Sequence, residues 1–529
     1  MLLLIIYVSN MIDKFLKNLS EHPCSLFLAN SKIGLEKESL RVDGNGTISL
    51  KMHPEIFGSS LTNKYITTDY SEALIEIVTP PCNSHSEALK YLEHIIAYIY
   101  RNLEDEYLWP ASMPCIIAGD KSIPIAYYGT SNPARIKTTY RRGLGNRYGR
   151  VMQVISGIHY NYSFSDKFWN SYAQLKKTKK NLKDFKSEQY FIISRNLLRN
   201  DWMIAYLFGC SPAVCKSYLS GKKTTLESFD EYTYYEKYAT SLRMGDIGYQ
   251  NNKEEDMGVH IDYNSIEKYT ESLNEAIKKP SKEYKKIGVH SDGYYKQINE
   301  NILQIENEYY STVRPKPDPK IKKRPSKALL KGGVNYIELR SIDNNIFSNT
   351  GIDENQMYFI ELLMIHSLIE NDEEITEREY REIKKNLTNC AHKGRDKNFN
   401  IIKKGEKKPI FEVLEEKLKE LKKIADMMFV ITKDKKYNEC VAEQEIKIKD
   451  NSKLPSNIVI NTMVKSKVSF YEFCMENIWK QKDHFSKITT DGIIAKKLKK
   501  EAIESIKTQE ELESDFTESY EDYINKYFV

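Results

Sequence analysis

Hydrophobic and polar residues alternate with a period of two in several segments of the chain before about residue 350, and this alternation predicts β-strands. One of these segments ends in Asp43-Gly44-Asn45-Gly46, which is typical of a tight turn. The predicted strands are Gly34–Val42 with a continuation at Thr47–Leu50, Ala73–Val78, Gln153–Phe164, Ile302–Tyr310 and Val334–Asp343. Because helices and long loops separate them, the pattern indicates an α+β sheet with helices packed on one face.

Helical periodicity predicts helices between these strands and throughout the Lys/Glu-rich remainder of the chain. The helices between the strands are Ser86–Asn102, Ser187–Phe208 and Ile261–Ala276, and Ser187 is the expected N-cap of the second. The later helices are Glu354–Asn371, Glu373–Leu387, Lys408–Phe429, Lys467–Phe485 and Lys496–Thr508. The proline- and charge-rich stretch Arg314–Pro325 is predicted to be a surface loop.

The composition is that of a globular protein, since 40% of the 529 residues are hydrophobic and 29% are charged. A net charge of +5 neither demands nor excludes a nucleic-acid partner. The eight cysteines include Cys210 and Cys215, whose spacing fits neither a zinc site nor a redox CxxC motif, so we expect reduced thiols in a cytosolic protein.

The N-terminal run Met1–Val8 is apolar but shorter than the ~20 residues that span a bilayer, and it lacks the basic region of a signal peptide. We expect translation to start at Met11, so that residues 1–10 are a mis-called extension. The expected location is the cytoplasm.

Candidate chemistry comes from residues that share one face of each predicted strand, because residues two apart project to the same side. The groups formed in this way are Glu36 with Glu38, Glu338 with Arg340, His159 with Gln153 and Asn161, and Glu306 and Glu308 with Gln304 and Tyr310. Asp69 and Glu76 flank a further segment. Clustered carboxylates need cations, and Mg²⁺ or Mn²⁺ would neutralise them and bridge phosphates, while arginines clamp phosphate or carboxylate groups.

Each of these signals also has an ordinary structural explanation. Paired glutamates on a strand are typical of a solvated face, a single histidine is usually structural, and Arg340 beside Glu338 fits a surface ion pair. The chain has neither a P-loop nor a dinucleotide-binding glycine fingerprint. If ATP is used, metals and arginines must therefore hold it.

The same residues stand in a series of longer motifs. In chain order these are Gly34–Arg41 (Gly-Leu-Glu-Lys-Glu-Ser-Leu-Arg), Ile66–Glu76, Leu108–Cys115, Tyr128–Asn132, Asn146–Gly149, Ser156–Asn161, Ala239–Arg243, Leu303–Tyr310, Arg314–Lys316 and Tyr336–Ser341. The series closely resembles the signatures of the proteobacterial-type glutamate–cysteine ligases. The resemblance runs from about Met11 to about residue 365, which predicts a catalytic domain over 11–365 and a mostly helical region over 366–529 packed on it and departing from the family.

The resemblance implies a glutamine synthetase-like fold, in which a curved, mainly antiparallel sheet holds ATP and Mg²⁺ on its concave face and carries helices on its outer face. The implied metal ligands are Glu36, Glu38, Asp69, Glu76, His159 and Glu338. Arg340 is the implied partner of the transferring phosphoryl group, and the implied cysteine pocket comprises Tyr140, Leu144, Gln153, Arg243, Tyr249 and Tyr310.

The implied reaction joins the γ-carboxyl of L-glutamate to the amine of L-cysteine through γ-glutamyl phosphate, with ATP as co-substrate. Glutathione is a possible feedback inhibitor, and the protein is expected to be a monomer that binds neither nucleic acid nor membrane.

Three alternatives stay open. A related ligase of this fold group could use ammonia or another amino acid, the lysine-rich segments such as Lys316–Lys331 could bind nucleic acid, or the chain could be an inactive relative. Against nucleic-acid binding, acidic residues interrupt the basic runs, as in the i,i+4 pair Glu415 and Lys419.

Overall fold

The computed structural model describes residues 13–219, 221–248, 257–291, 293–489, 491–514 and 517–528. Residues 1–10, the expected start at Met11 and the predicted pocket residue Tyr249 lie outside these ranges. Within the described ranges, no helix is both long and apolar enough to cross a membrane.

One seven-stranded antiparallel sheet organises the molecule, and three small sheets accompany it. Its strands are β1 (Lys32–Val42), β2 (Ile66–Thr68), β3 (Leu74–Val78), β4 (Tyr107–Leu108), β5 (Ile158–Ser163), β11 (Val313–Lys316) and β12 (Tyr336–Ile342). They are arranged in the order β11-β12-β5-β1-β3-β2, and β4 pairs with one end of β1. The small sheets contain β6 (Ala213–Cys215), β7 (Glu227–Ser228), β8 (Thr233–Tyr235), β9 (His290–Ser291), β10 (Tyr294–Tyr295), β13 (Asn400–Lys403) and β14 (Glu406–Pro409).

The register of the large sheet separates an apolar face from a polar one. Glu36 of β1 pairs with His159 of β5, Glu38 pairs with Glu76 of β3, and Glu338 of β12 pairs with Asn161. The alternate positions on these strands carry buried hydrophobic residues that belong to the main core, namely Leu35, Ile75, Ile77, Tyr160, Tyr162, Ile337 and Leu339. The predicted α+β class, with a mainly antiparallel sheet and helices against one face, is confirmed.

The helices cover the apolar face and extend the core beyond it. Those before residue 350 are α1 (His85–Asn102), α2 (Asn132–Tyr148), α3 (Asp166–Leu175), α4 (Leu182–Phe208), α5 (Lys216–Leu219), α6 (Ile266–Ala276), α7 (Lys282–Lys285) and α8 (Pro325–Gly332). The later ones are α9 (Glu354–Ile369), α10 (Glu377–Lys393), α11 (Ile410–Thr432), α12 (Lys436–Lys449), α13 (Pro455–Ser466), α14 (Phe470–Lys487), α15 (Gly492–Glu513) and α16 (Tyr520–Phe528). Helices α1 and α4 pack directly on the sheet, and α9 packs on both of them.

Helix α4 begins earlier than the sequence pattern indicated. Asn181 is its N-cap and accepts a hydrogen bond from Asp184 N, whereas Ser187 lies inside the helix and donates to Lys183 O. Serine hydroxyls bond readily to a carbonyl one turn earlier, so a serine near a helix start is not always its cap.

The strand predicted over Ile302–Tyr310 is wrong, because this segment forms a 3₁₀ turn at Glu306–Glu308. Its carboxylates point into separate buried ion pairs: Glu306 lies 2.7 Å from Arg324 and Glu308 lies 2.9 Å from Arg147. The alternation of polar residues in this segment therefore reflects two separate buried ion pairs and not one face of a β-strand.

Smaller departures occur elsewhere. Thr47–Leu50 forms only an isolated bridge, between Ile48 and Val42. Gln153 and Val154, the first residues of the predicted strand Gln153–Phe164, belong to the 3₁₀ helix Val151–Val154, and the strand begins at Ile158. Helices α12 and α13 were not predicted.

The region after residue 365 shares its core with the preceding part of the chain. Helix α9 runs through residue 365, and hydrophobic residues of α11 and α12 join the same cluster as those of the sheet. The domain boundary at this position stays a prediction.

The expectation that all cysteines are reduced is wrong for one pair. Cys115 and Cys215, 100 residues apart, form a disulfide with a Cα–Cα distance of 5.3 Å, while six other cysteines are free and buried. Spacing along the chain could not reveal this pair because the fold brings the loop after β4 against β6.

Candidate active site

Four strands converge on the polar face of the sheet, with Glu36 and His159 at its centre. His159 Nδ1 lies 3.0 Å from Glu36 Oε2, and Asn161 Nδ2 donates to Glu36 Oε1 at 2.8 Å. Burial and Glu338 raise the pKa of Glu36, but the hydrogen bond and charge of His159 together with the charge of Lys316 outweigh them and leave the pKa below its ordinary value.

Glu38 occupies the next position on the same face of β1. Its Oε1 lies 3.6 Å from His159 Nε2, and its Oε2 accepts a 2.9 Å hydrogen bond from Gly157 N. Burial, with a further contribution from Asp69, raises the pKa of Glu38 above its ordinary value. The imidazole of His159 thus stands between two carboxylates.

Glu338 brings β12 into the same cluster. Its oxygens lie 3.3 Å from Lys316 Nζ and 3.4 Å from Arg340 Nη1, and His159 Nδ1 is 3.9 Å away. Arg340 Nη1 is also 3.4 Å from His159 Nδ1. Burial raises the pKa of Glu338, but Lys316 and Arg340 outweigh it and hold this pKa well below its ordinary value.

Glu76 completes the cluster from β3. Among the described residues, Glu36, Glu76 and His159 form a group whose ligand atoms all lie within 4.8 Å of one another. Burial, Glu36 and Asp69 raise the pKa of Glu76 well above its ordinary value. The structure therefore brings all six predicted metal ligands to one face, with Asp69 at its more exposed margin.

The donor set fits a hard divalent cation. Carboxylate and amide oxygens dominate it, and such oxygens with one imidazole suit Mg²⁺ or Mn²⁺. Buried Asn161 Oδ1 has no hydrogen-bond partner within the described part of the chain, and Glu338 Oε2 has none there beyond its 3.4 Å ion pair with Arg340. Buried oxygens of this kind normally bind a donor or a cation.

The predicted substrate-pocket residues lie beside this cluster. Arg243 is 4% exposed and donates to Arg340 O at 2.8 Å, and the two arginines are near enough to Tyr310 to lower the pKa that burial raises. Tyr140 and Leu144 share a hydrophobic cluster with Leu242, next to Arg243.

The position of Gln153 differs from the prediction. It is buried in the 3₁₀ helix Val151–Val154, and so it does not share a strand face with His159. Tyr249 cannot be placed, since it lies outside the described residues.

Two cations near the cluster escaped the sequence prediction. Lys137 and Arg141 stand one turn apart on α2, 4.7 Å and 4.6 Å from the centre of the Tyr128 ring. Burial and the charge of Arg141 lower the pKa of Lys137 to about 8, and Glu76 and Asp69 are the acids that act on it. The i,i+4 spacing of these cations, which lie on either side of Tyr140 in the sequence, was the available signal.

A cavity of about 630 Å³ opens beside Lys316. Tyr336, which is two residues before Glu338 on β12, and Tyr269 are among its lining residues. Arg314 and Arg324 also line it, so aromatic rings and cations are combined in one space adjoining the carboxylates.

Comparison with known proteins identifies the group to which this architecture belongs. A family model for glutamate–cysteine ligase matches residues 16–390. The glutamate–cysteine ligase of Alcanivorax borkumensis is 39% identical over 507 residues, which cover 95% of this chain and 96% of that protein. That alignment extends far past residue 365, so the C-terminal third also has a counterpart in this relative, although the family model ends at residue 390.

Solved structures agree with the sequence relatives. The crystal structure of glutamate–cysteine ligase from Francisella tularensis in complex with AMP matches with a TM-score of 0.88 and 33% identity, covering 94% of this chain and 97% of that one. A bifunctional glutathione synthetase from Pasteurella multocida matches with a TM-score of 0.69 and 26% identity, covering 87% of this chain and 53% of that one. The chain belongs to the glutamate–cysteine ligase family.

Proposed function

We propose that this protein catalyses the ATP-dependent formation of γ-glutamylcysteine from L-glutamate and L-cysteine, the first step of glutathione synthesis. The observation that carries the proposal is the convergence of Glu36, Glu76 and His159 within 4.8 Å, with Arg340 beside them. Such a site is built to hold cations and a phosphoryl group without a protein nucleophile.

Glu36, Glu38, Asp69, Glu76, His159 and Glu338 would hold Mg²⁺. When bound, the metal supplies positive charge that neutralises the phosphates of ATP. Lys316 and Arg340 already place two fixed cations within 3.4 Å of Glu338, so the electrostatic field of the chain itself favours an incoming polyphosphate.

In the first chemical step, an oxygen of the γ-carboxylate of glutamate attacks the γ-phosphorus of ATP. The bond between this phosphorus and the bridging oxygen breaks, giving γ-glutamyl phosphate and ADP. The guanidinium of Arg340 donates to the oxygens of the transferring phosphoryl group, which gain charge in the transition state.

In the second step, the α-amine of cysteine attacks the acyl phosphate carbon. Phosphate leaves, the amine loses a proton, and the γ-glutamyl amide forms. Arg243 binds the carboxylate of cysteine, and Tyr310 provides an aromatic wall suited to a polarizable sulfur. Tyr140, Leu144 and Gln153 complete the pocket and hold the amine near the carbonyl carbon.

The neighbouring cations account for the other two substrates. Lys137 and Arg141 lie beside Glu76 and Asp69, where they would bind the α-carboxylate of glutamate. The cavity beside Lys316 would bind the nucleotide, with its base against tyrosines and its phosphates directed toward Glu338. Replacing Lys137 with methionine should raise the KM for glutamate selectively, and replacing Lys316 with methionine should raise the KM for ATP.

The test follows ADP release with glutamate, ATP and Mg²⁺ while the acceptor is varied among cysteine, 2-aminobutyrate, ammonium and none. Release with cysteine and with thiol-free 2-aminobutyrate supports the proposal. Release with ammonium alone would assign the chain to glutamine formation, and no release with any acceptor would make it an inactive relative.

The same assay tests inhibition by glutathione, which contains both substrate moieties and is expected to compete with glutamate. The expected monomer is tested by the mass of the protein in light scattering.

A further inference from the structure

Gly157 lies where the metal-binding cluster and the substrate pocket meet. It immediately precedes β5, and it exchanges two hydrogen bonds with Glu38. Gly157 N donates to Glu38 Oε2 at 2.9 Å, and Glu38 N donates to Gly157 O at 3.0 Å. The backbone of Gly157 therefore fixes one of the proposed metal ligands.

The other side of Gly157 is covered by the guanidinium of Arg243. A β-carbon added at Gly157 would lie 2.6 Å from Arg243 Cζ and 2.8 Å from Arg243 Nε, and it would also clash with Nη2. Contacts this short between carbon and nitrogen atoms are repulsive. The guanidinium can occupy its position only because residue 157 has no side chain.

Backbone conformation does not explain the glycine. The φ angle of Gly157 lies outside the left-handed region, so an alanine could adopt the same backbone. The space it leaves for Arg243 is thus the feature that requires glycine.

The guanidinium is fixed on its other sides as well. Arg243 Nη2 donates to Arg340 O at 2.8 Å, and Nη1 lies 3.7 Å from Asp343 Oδ1. Asp343 is itself held, because it accepts hydrogen bonds from Ser241 Oγ and Cys210 N, both at 2.8 Å. Because Arg340 and Asp343 surround the guanidinium on its other sides, a β-carbon at residue 157 would force Arg243 out of this position.

We infer that Gly157 is a positioning residue for acceptor binding. It sets the guanidinium of Arg243 against the backbone that also holds Glu38, so the carboxylate anchor of the amine substrate is placed at a fixed distance from the metal-binding carboxylates. The inference rests on the proposed function, in which Arg243 binds the carboxylate of cysteine.

The experiment compares Gly157→Ala with the unmodified enzyme. We expect the KM for cysteine to rise about 10- to 100-fold, the range for a displaced hydrogen bond to a charged group, with smaller changes in the KM values for glutamate and ATP. The thermal midpoint should stay close to that of the unmodified protein, because the displaced atoms belong to the end of a long side chain. Gly44→Ala is the matched control, since a β-carbon there would meet only Tyr107 Cε2, at an ordinary 3.9 Å.

A double-mutant cycle separates positioning of Arg243 from a general structural role. In an Arg243→Gln background, which lacks the guanidinium, Gly157→Ala should change the kcat/KM for cysteine less than twofold. An equal loss in both backgrounds, or a normal KM for cysteine in Gly157→Ala, would overturn the inference. An unmodified enzyme without cysteine-dependent ADP release would instead refute the proposed function.

Discussion

Replacing Glu76 with glutamine should stabilise the metal-free protein while it inactivates the enzyme. Glu76 lies no more than 4.8 Å from the ligand atoms of Glu36 and His159, and burial with neighbouring acids raises its pKa well above the ordinary value. Two like charges at 4.8 Å repel by about 3.5 kcal/mol at an effective dielectric constant of about 20. Because the protein and solvent relax around these charges, the full repulsion is not recovered. We expect the amide to raise the free energy of unfolding of the metal-free protein by about 1–3 kcal/mol.

The assay is thermal unfolding with and without Mg²⁺, together with steady-state kinetics. For a chain of this length, the gain corresponds to a midpoint about 1–3 °C higher without metal. Saturating Mg²⁺ should reverse the order, because a ligand at ~100 times its Kd stabilises the protein that binds it by about 2.7 kcal/mol. The kcat/KM of the variant should fall by at least about 100-fold. Mutation of a residue that only hydrogen-bonds to a metal ligand already lowers metal affinity or activity by ~10- to 100-fold.

A matched control is Glu104→Gln, which removes an exposed carboxylate outside the cluster. It should change neither the unfolding midpoint nor the kcat/KM. A Glu76→Gln protein that is less stable without metal and keeps the full Mg²⁺-dependent shift would refute the reasoning. That result would mean that Glu76 is stabilised by protein contacts and does not serve a cation.

Three further predictions address other parts of the molecule. Arg340→Lys should lower kcat about 100-fold with little change in KM values, since lysine cannot reproduce the planar fork; a normal kcat would exclude Arg340 from the phosphoryl site. Burial lowers the pKa of His392, but hydrogen bonds with Asp246 and Glu236 raise it to about 9. The charged imidazole therefore stabilises the folded protein fully below about pH 6.5, and this stabilisation is lost as the pH rises through about 9. The melting temperature should therefore fall between pH 7 and pH 9.5 by less in His392→Gln, and an identical fall in both proteins would contradict this assignment. Glu308→Gln should cost about 3–5 kcal/mol in urea unfolding, because it leaves the charge of buried Arg147 without its carboxylate, and an unchanged midpoint would contradict this estimate.

The two-faced sheet could be predicted from the sequence because strand alternation is a local property. Glu36 and Glu38, or Glu338 and Arg340, share a face whenever their segment is extended, and β1 and β12 are extended. Which strands are neighbours is not local. That Glu36 and His159 serve one site was implied only by the resemblance to a family, and their direct pairing is observed in the sheet register.

The same alternation gave a wrong strand prediction where each buried carboxylate is paired with its own arginine. Glu306 and Glu308 repeat with a period of two, yet each carboxylate meets an arginine from a distant segment, and the backbone between them turns. The disulfide between Cys115 and Cys215 escaped prediction for the same reason, because contacts between remote segments leave no mark on local spacing.

The strand order has a kinetic consequence for the site. Glu36 lies on β1, His159 on β5 and Glu338 on β12, so the residues that meet are separated by more than 100 positions at each step of the chain. Pairings of such long sequence separation form slowly, since their loop-closure entropy is lost before any contact compensates for it. During synthesis, the site stays incomplete until β12 has been made and has joined the sheet. The complete cluster of Glu36, His159 and Glu338 therefore exists only after the whole sheet has assembled, so its integrity reports that β12 has joined β5.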